Sequence, residues 1–473
     1  MSADNPKSEV TPGARMADDP AVPALGVILA LGLASAAPPA KAAPRYPLRP
    51  LELVVALVED PDFPPLDEQV VQVALRSAEA EFARRFDVPA PRFVVRYRFE
   101  AKRFIDIYAH PRDPACKEAF AARYKGTGTK ELAAHREEAM KFLKKWPLES
   151  LKGFVNPEDR AQIRSYDDIY ALYARRYVAQ IDTIKRLRTP AGTPLLEPER
   201  SYERSFVAWL CALKTQSDFD VLVTNTFIVS DLLTEPHPHS VFGKAKIGGI
   251  ATQSPHRTAL AGEALLATTF GIDTTIPELN ELNGKVPSLE ERARLLGAYL
   301  LAHEIAHSVF GIPDVFDHPA GCLMTSRPGA TYLDGLKELD AHPTPCPKCR
   351  PYVEARAAYE KGLTELEAGH AAAASQAFLR SVQLTPEHFH GGRRRRLAAV
   401  TMASSKAQAA MGQEQRALRY ARLAVKLDPA SDAAQTHLAA LEAPTLAPGA
   451  PVIEASRTTS TATTARPGKP SGG

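Results

Sequence analysis

The chain has 473 residues, 45% of them hydrophobic and 24% charged, which is ordinary globular composition with enough length for more than one domain and a sizeable core. A formal net charge of +3 is too small to indicate a nucleic-acid partner, and the basic run 393–396 (RRRR) reads as a solvated helix start rather than a phosphate-binding patch.

Residues 1–43 read as a signal peptide or leader. The small-residue apolar run 21-AVPALGVILALGLASAA-37 follows Lys7 and Arg15 and precedes 40-AKA-42, which has the form of a cleavage site. Export to the periplasm or medium is expected, with an uncleaved N-terminal anchor as the alternative. Asp18 and Asp19 stand where positive charge is usual. No other stretch approaches the roughly 20 apolar residues a spanning helix needs.

After the leader, 51-LELVVALVE-59 predicts a strand, 67-DEQVVQVALRSAEAEFARRF-86 an amphipathic helix and 92-RFVVRYRF-99 a second strand. The charged region 103–215 predicts helices, with Phe142, Trp146, Tyr166, Tyr170, Tyr173 and Tyr177 spaced for core packing rather than ligand binding. Strand character returns at 219-FDVLVTNTFIV-229, and 242-FGKAKIGGIAT-252 has the form of a glycine-interrupted edge strand. Ser288 with Glu291 three residues on is a capping box, after which positions 296, 300, 303, 307 and 310 share one face of a helix that Gly311 and Pro313 end.

His303 and His307 stand one helical turn apart, so two imidazoles can reach one zinc ion while Glu304 beside them reaches a water. The structural alternative, two satisfied core histidines, must find partners for two rings and a carboxylate on a buried face. A catalytic zinc needs a third protein ligand and an open position. Asp314 and His318 are the candidates. Downstream, Cys322, Cys346 and Cys349 cluster in sequence near the histidines, whereas Cys116 and Cys211 lie far off and would be available as a disulfide in an exported chain.

These residues resemble the metzincin-type metallopeptidases. In that group the third ligand follows a glycine that breaks the helix after the histidine pair, and the site rests on a methionine turn. Gly311 matches the glycine, Asp314 stands at the ligand offset after it, and 322-CLMTS-326 looks like the turn, with Met324 beneath the metal. Two departures are visible: three residues rather than two separate His307 from Gly311, and aspartate stands where histidine is usual. Cys322, Met324 and the Cys346/Cys349 pair are similar to the archaemetzincins, whose four cysteines bind a second, structural zinc. The likeness spans roughly 299–350. His318 stands near the place of the missing cysteine, and one histidine with three cysteines is an ordinary closed zinc site. Giving Asp314 to the catalytic zinc and His318 to the structural one uses every strong ligand; if His318 completes the catalytic site, the structural site has only three cysteines. The first allocation is favoured. The resemblance further implies that 242–252 is the edge strand that binds substrate in extended form. Tyr332 could assist the oxyanion, but related enzymes place their tyrosine closer to the methionine, and packing is the favoured reading.

From about 352 the chain becomes Ala-rich, and 374-ASQAFLRSVQLTP-386 echoes 417-ALRYARLAVKLDP-429. With upstream helices 354–369 and 396–412 these phrases resemble a degenerate pair of tetratricopeptide units with a 43-residue period. Two units are fewer than usually stand alone, which implies packing on the neighbouring domain or on a protein partner.

The expected fold class is therefore α+β: a metzincin-like catalytic domain at 48–350, with a small mixed sheet, an active-site helix and a helical insertion at 103–215, followed by all-α tetratricopeptide-like repeats at 352–441 and a disordered tail at 442–473. The expected function is zinc-dependent hydrolysis of peptide bonds in a peptide or protein substrate, with Glu304 as general base, His303, His307 and Asp314 on a catalytic zinc, and His318, Cys322, Cys346 and Cys349 on a structural one. The alternative is a non-catalytic, zinc-braced module whose repeats bind a protein; hydrolysis of a non-peptide amide would use the same residues.

Overall fold

The computed structural model of the chain describes residues 44–102, 129–153, 155–197, 201, 219–230, 249–253, 263–280, 282, 285, 287–313, 318, 319, 321–325, 332–341, 346–385, 393–429 and 431–443. The leader, Cys116, Cys211, Asp314 and the tail from 444 lie outside the described residues, as does most of the expected edge strand (242–248).

β1 (Glu52–Glu59) is flanked by a strand on each side, and its near-continuous apolar run suits a strand covered on both faces. α1 (Glu68–Phe86) starts at Asp67, whose carboxylate accepts the backbone N–H groups of Gln69 and Val70. β2 (Arg92–Glu100) pairs parallel with β1. Next come α2 (Thr129–Leu143), α3 (Leu148–Gly153), α4 (Pro157–Arg160) and α5 (Tyr166–Ile184). The strands β3 (Val221–Thr224), β4 (Gly249–Gln253) and β5 (Glu263–Thr268) complete a five-stranded sheet of order β2-β1-β3-β5-β4. β4 runs antiparallel on the outer edge and the other four strands are parallel, so the sheet is small and mixed as expected.

Among the described residues, two cores divide the domain. The main one joins α1 to one face of the sheet through Val71, Ala74, Ala78 and Phe82 against Val55, Leu57, Val223 and Leu265. The second belongs to the helical region, where Phe142, Trp146, Tyr166, Tyr170, Tyr173 and Tyr177 pack together as their spacing predicts. It meets the chain where β3 and β5 end, at Phe227, Val229 and Phe270, and the Tyr177 hydroxyl donates to the Ser230 carbonyl at 3.0 Å.

After α6 (Phe270–Asp273), the Ser288/Glu291 capping box starts α7 (Leu289–Arg294) as expected. Arg292 ties this helix to its neighbours by donating to Asp273 and to Asp67. The expected single α-helix is then interrupted: residues Leu295–Leu301 form a π segment, closed by the Ala302 N–H donating to the Gly297 carbonyl, before α8 (Ala302–Phe310) resumes. This inserted residue alters the phase between 296 or 300 and the histidines. Leu296, Leu300, His307 and Phe310 are still buried, while His303 is only half-buried. At Gly297 the segment crosses α1 so closely that a Cβ there would lie 2.0 Å from the Ala74 carbonyl oxygen.

α9 (Tyr332–Ala341) and α10 (Arg350–Glu367) follow, then α11 (Ala371–Leu384), α12 (Arg393–Ala410), α13 (Glu414–Leu427) and α14 (Asp432–Glu442). α10 packs on α11 and α12 on α13. The tight turns within these pairs hold Gly369 (φ 81°) and Gly412 (φ 70°), 43 positions apart, which is the repeat period. The expected division at 350–352 falls in the first turn of α10, whose Tyr352 and Val353 belong to the main core. The Tyr46 hydroxyl donates to Glu354 at 3.3 Å, and Arg49 makes two 2.9 Å bonds to Glu367, so the segment before β1 also grips α10.

Gly297→Ala should destabilise the chain by about 2 kcal/mol or more, because the obstacle is backbone and cannot rotate away. Urea unfolding checks this, with an unchanged midpoint as the opposing result.

Candidate functional site

The i, i+4 spacing on α8 sets the His303 and His307 rings nearly perpendicular, with centroids 4.5 Å apart and Nε2 atoms 2.9 Å apart. Each ring is fixed from behind. His303 Nδ1 donates to the Leu323 carbonyl at 2.8 Å, and His307 Nδ1 donates to the Ile312 carbonyl. A carbonyl oxygen can only accept, so the proton of each neutral ring sits on Nδ1 and the lone pairs of both Nε2 atoms face one another. Two such lone pairs repel unless a proton or a cation lies between them. That donor set fits a metal, and the backbone carbonyls occupy the orienting position usual behind metal-bound histidines.

Gly311 makes the second of these contacts feasible. It caps α8 in the left-handed conformation (φ 70°), donates its N–H to the His307 carbonyl at 2.8 Å and turns the chain so that Ile312 comes back over the His307 ring. Phe310, just before it, packs inward on Phe82 and Phe86, with centroids 5.3 and 4.8 Å away. Glu304 lies between the histidines in sequence and is 6% exposed. α8 runs against β5 and the edge strand β4.

The cysteines form a separate group with His318. The distances from His318 Nδ1 to the sulfurs of Cys346, Cys322 and Cys349 are 3.1, 3.4 and 3.4 Å, and the three sulfur–sulfur distances are 3.4, 3.5 and 3.5 Å. Six nearly equal edges define a tetrahedron. With edges of about 3.4 Å its centre lies about 2.1 Å from each corner, close to the 2.0–2.3 Å of zinc bonds to nitrogen and sulfur. The sulfurs are far beyond the roughly 2.05 Å of a disulfide, and all three cysteines are free. Among the described residues, His318, Cys322, Cys346 and Cys349 are a group that could hold one zinc ion. The geometry thus places His318 with the cysteines rather than with the histidine pair.

Local structure prepares this group too. Cys349 is the N-cap of α10, and its backbone N–H donates to the Cys346 sulfur at 3.4 Å, so a helix N-terminus faces the thiols. Thiols this close cannot all ionise alone. The neighbouring sulfurs of Cys322 and Cys349 hold Cys346 well below the ordinary thiol range, while the Cys322 thiol, which donates to Cys346, is pushed up to about 12. Cys349 is raised as well, by Cys322, by Cys346 and by burial. A dication at the centre favours all three thiolates together.

The turn at 321–325 lies between the two groups. Gly321 adopts φ 77°, Cys322 N–H donates to the Pro319 carbonyl at 3.1 Å, and Thr325 N–H donates to the Cys322 carbonyl at 3.0 Å. Met324, the expected methionine of the turn, is wholly buried in the main core. Tyr332 packs on Tyr299 with centroids 5.7 Å apart, consistent with its reading as a packing residue. Sequence reasoning missed Arg85. Its guanidinium is 2% exposed and donates to the carbonyls of Gly321 and Leu339 and to Glu81. The available signal was an arginine in step with the apolar stripe Val71, Leu75, Ala78 and Phe82 of α1.

Cys346→Ser and His318→Ala should each release one zinc equivalent and lower the melting temperature by about 5 °C or more, since a closed zinc site contributes folding free energy directly. Elemental analysis with calorimetry checks this, and full metal content at an unchanged melting temperature is the contrary outcome.

Compared with known proteins, the chain matches no family model, no curated protein and no solved structure.

Proposed function

We propose that the protein is a zinc-dependent metallopeptidase related to the metzincins, with a histidine site for catalysis and the His318 and cysteine group as a structural zinc site. The observation that carries this reading is the 2.9 Å approach of the two Nε2 atoms on α8, both rings fixed through Nδ1, with Glu304 between them in sequence. A purely structural site has no use for a carboxylate beside its first ligand. His303, His307 and Asp314 would hold the zinc ion, which would supply a Lewis acid for the attacking water and the scissile carbonyl. Asp314 is assigned as the third ligand because His318 is engaged by the sulfurs.

The remaining steps fall to the protein's own groups. Glu304 accepts the proton of the attacking water and passes it to the departing amine, so one carboxylate serves as base and then acid. Among the described strands β4 is the outer edge, and an extended peptide laid along it would lie next to α8. The helical repeats add a surface for a protein partner, and the leader directs export.

Glu304→Ala should lower hydrolysis of an unfolded protein substrate by at least about 100-fold while leaving both zinc ions in place. Asp314→Ala should lose activity together with one zinc. Cleavage products read by mass spectrometry decide the matter, and full activity of Glu304→Ala would remove the peptidase reading.

A further inference from the structure

One short turn serves both ligand groups. The Cys322 sulfur is a corner of the thiol tetrahedron, and the next residue, Leu323, supplies the carbonyl that takes the His303 Nδ1 proton at 2.8 Å. The two functions are one residue apart in a segment stiffened by the Cys322 and Thr325 backbone bonds and by the Thr325 hydroxyl, which donates to Pro319 at 2.9 Å. A shift of the Cys322 sulfur therefore moves the Leu323 carbonyl with it.

Arg85 grips the same turn from α1. Its Nη1 donates to the Gly321 carbonyl at 3.2 Å, and its Nη2 donates to Leu339 at the end of α9. Glu81 accepts from Arg85 and also from the exposed Arg84. Three thiolates, one neutral imidazole and one zinc ion sum to one negative charge. A buried guanidinium next to the first cysteine compensates that charge where water cannot.

We propose that the turn at 321–325, held by Arg85, couples the two metal sites, so that filling the His318 and cysteine group aims His303 and tightens metal binding by the histidine pair. The proposal rests on the two-zinc reading above and adds a dependence of one site on the other. Arg85 is a positioning residue in it, acting through the turn. Because binding linkage is reciprocal, occupancy of the histidine site tightens the cysteine site by the same factor.

The test uses the full chain and cobalt, whose sulfur-to-metal charge-transfer bands report the cysteine site separately from the histidine site, with chelator competition giving each affinity. Cys349→Ser, which removes a corner other than the one next to Leu323, should weaken metal binding at the histidine pair by about 10-fold or more, the size expected when an orienting partner of a ligand is disturbed. His307→Ala leaves the His303 contact with Leu323 in place and should weaken the cysteine site by a similar factor, which keeps the proposal testable if Cys349→Ser does not fold. Arg85→Met should weaken both sites, and Arg85→Lys, which retains the charge, should restore the cysteine site more than the histidine site. Unchanged histidine-site affinity in Cys349→Ser, or unchanged cysteine-site affinity in His307→Ala, would overturn the coupling while leaving two zinc sites. A lower melting temperature in Arg85→Met with both affinities intact would reduce Arg85 to a packing role and overturn its part. Uptake of a single metal by the unmodified chain, unaffected by His307→Ala, would instead sink the two-site reading and the coupling with it.

Discussion

Two backbone carbonyls, those of Leu323 and Ile312, decide what the histidine pair can do. By taking the Nδ1 protons they leave both Nε2 lone pairs pointing at one position. Without them the i, i+4 spacing would place the same two rings together but would not supply this aim. Each carbonyl must be brought back to α8 by a reversal of the chain. Gly311 supplies the first reversal at once, through its left-handed backbone, and the turn around Gly321 supplies the second from a segment twenty residues beyond His303.

The main core exists in large part to hold α8 still. Phe310 at its end stacks on Phe82 with the rings 7° from parallel and tilts against Phe86, while the π segment before it meets α1 at Gly297. These contacts tie the histidine helix to a helix that itself lies on the sheet. A site carried on packed helices keeps its geometry better than one carried on loops, which suits ligands whose nitrogens must converge on one point. Among the described residues between α8 and α10 there is one helix, α9, and the His318 and cysteine group draws residues from before it, a tight turn and a helix start onto a single centre.

α10 links the two halves of the described structure. Its first turn carries Cys349 and places Tyr352 and Val353 in the main core, while its later turns pack on α11 as the first of the repeat helices. Gly362 lets the Phe378 ring approach this helix so closely that a Cβ there would lie 2.4 Å from it. The repeats are thereby continuous with the domain that holds the histidines, and the Arg49 to Glu367 ion pair reinforces the junction from the segment before β1.

Short-range rules were legible in the residues themselves. The pairing of His303 with His307 follows from 3.6 residues per turn, the Ser288 capping box and the Gly311 stop from which backbone groups a helix end leaves unpaired, and the Cys346 and Cys349 pair from its fixed spacing. The repeat helices were likewise readable, since their period marks the Gly369 and Gly412 turns. The interruption at Leu295–Leu301 was not, because apolar periodicity does not register a single residue inserted where two backbones cross at Gly297 and Ala74. Arg85 stands in step with the apolar stripe of α1, but only the folded chain shows its guanidinium against Gly321 and Leu339. The placement of His318 was open for the same reason. Its partners Cys346 and Cys349 lie 28 and 31 positions away, a separation over which no local rule acts, so the path of the intervening chain decided which metal group it joins.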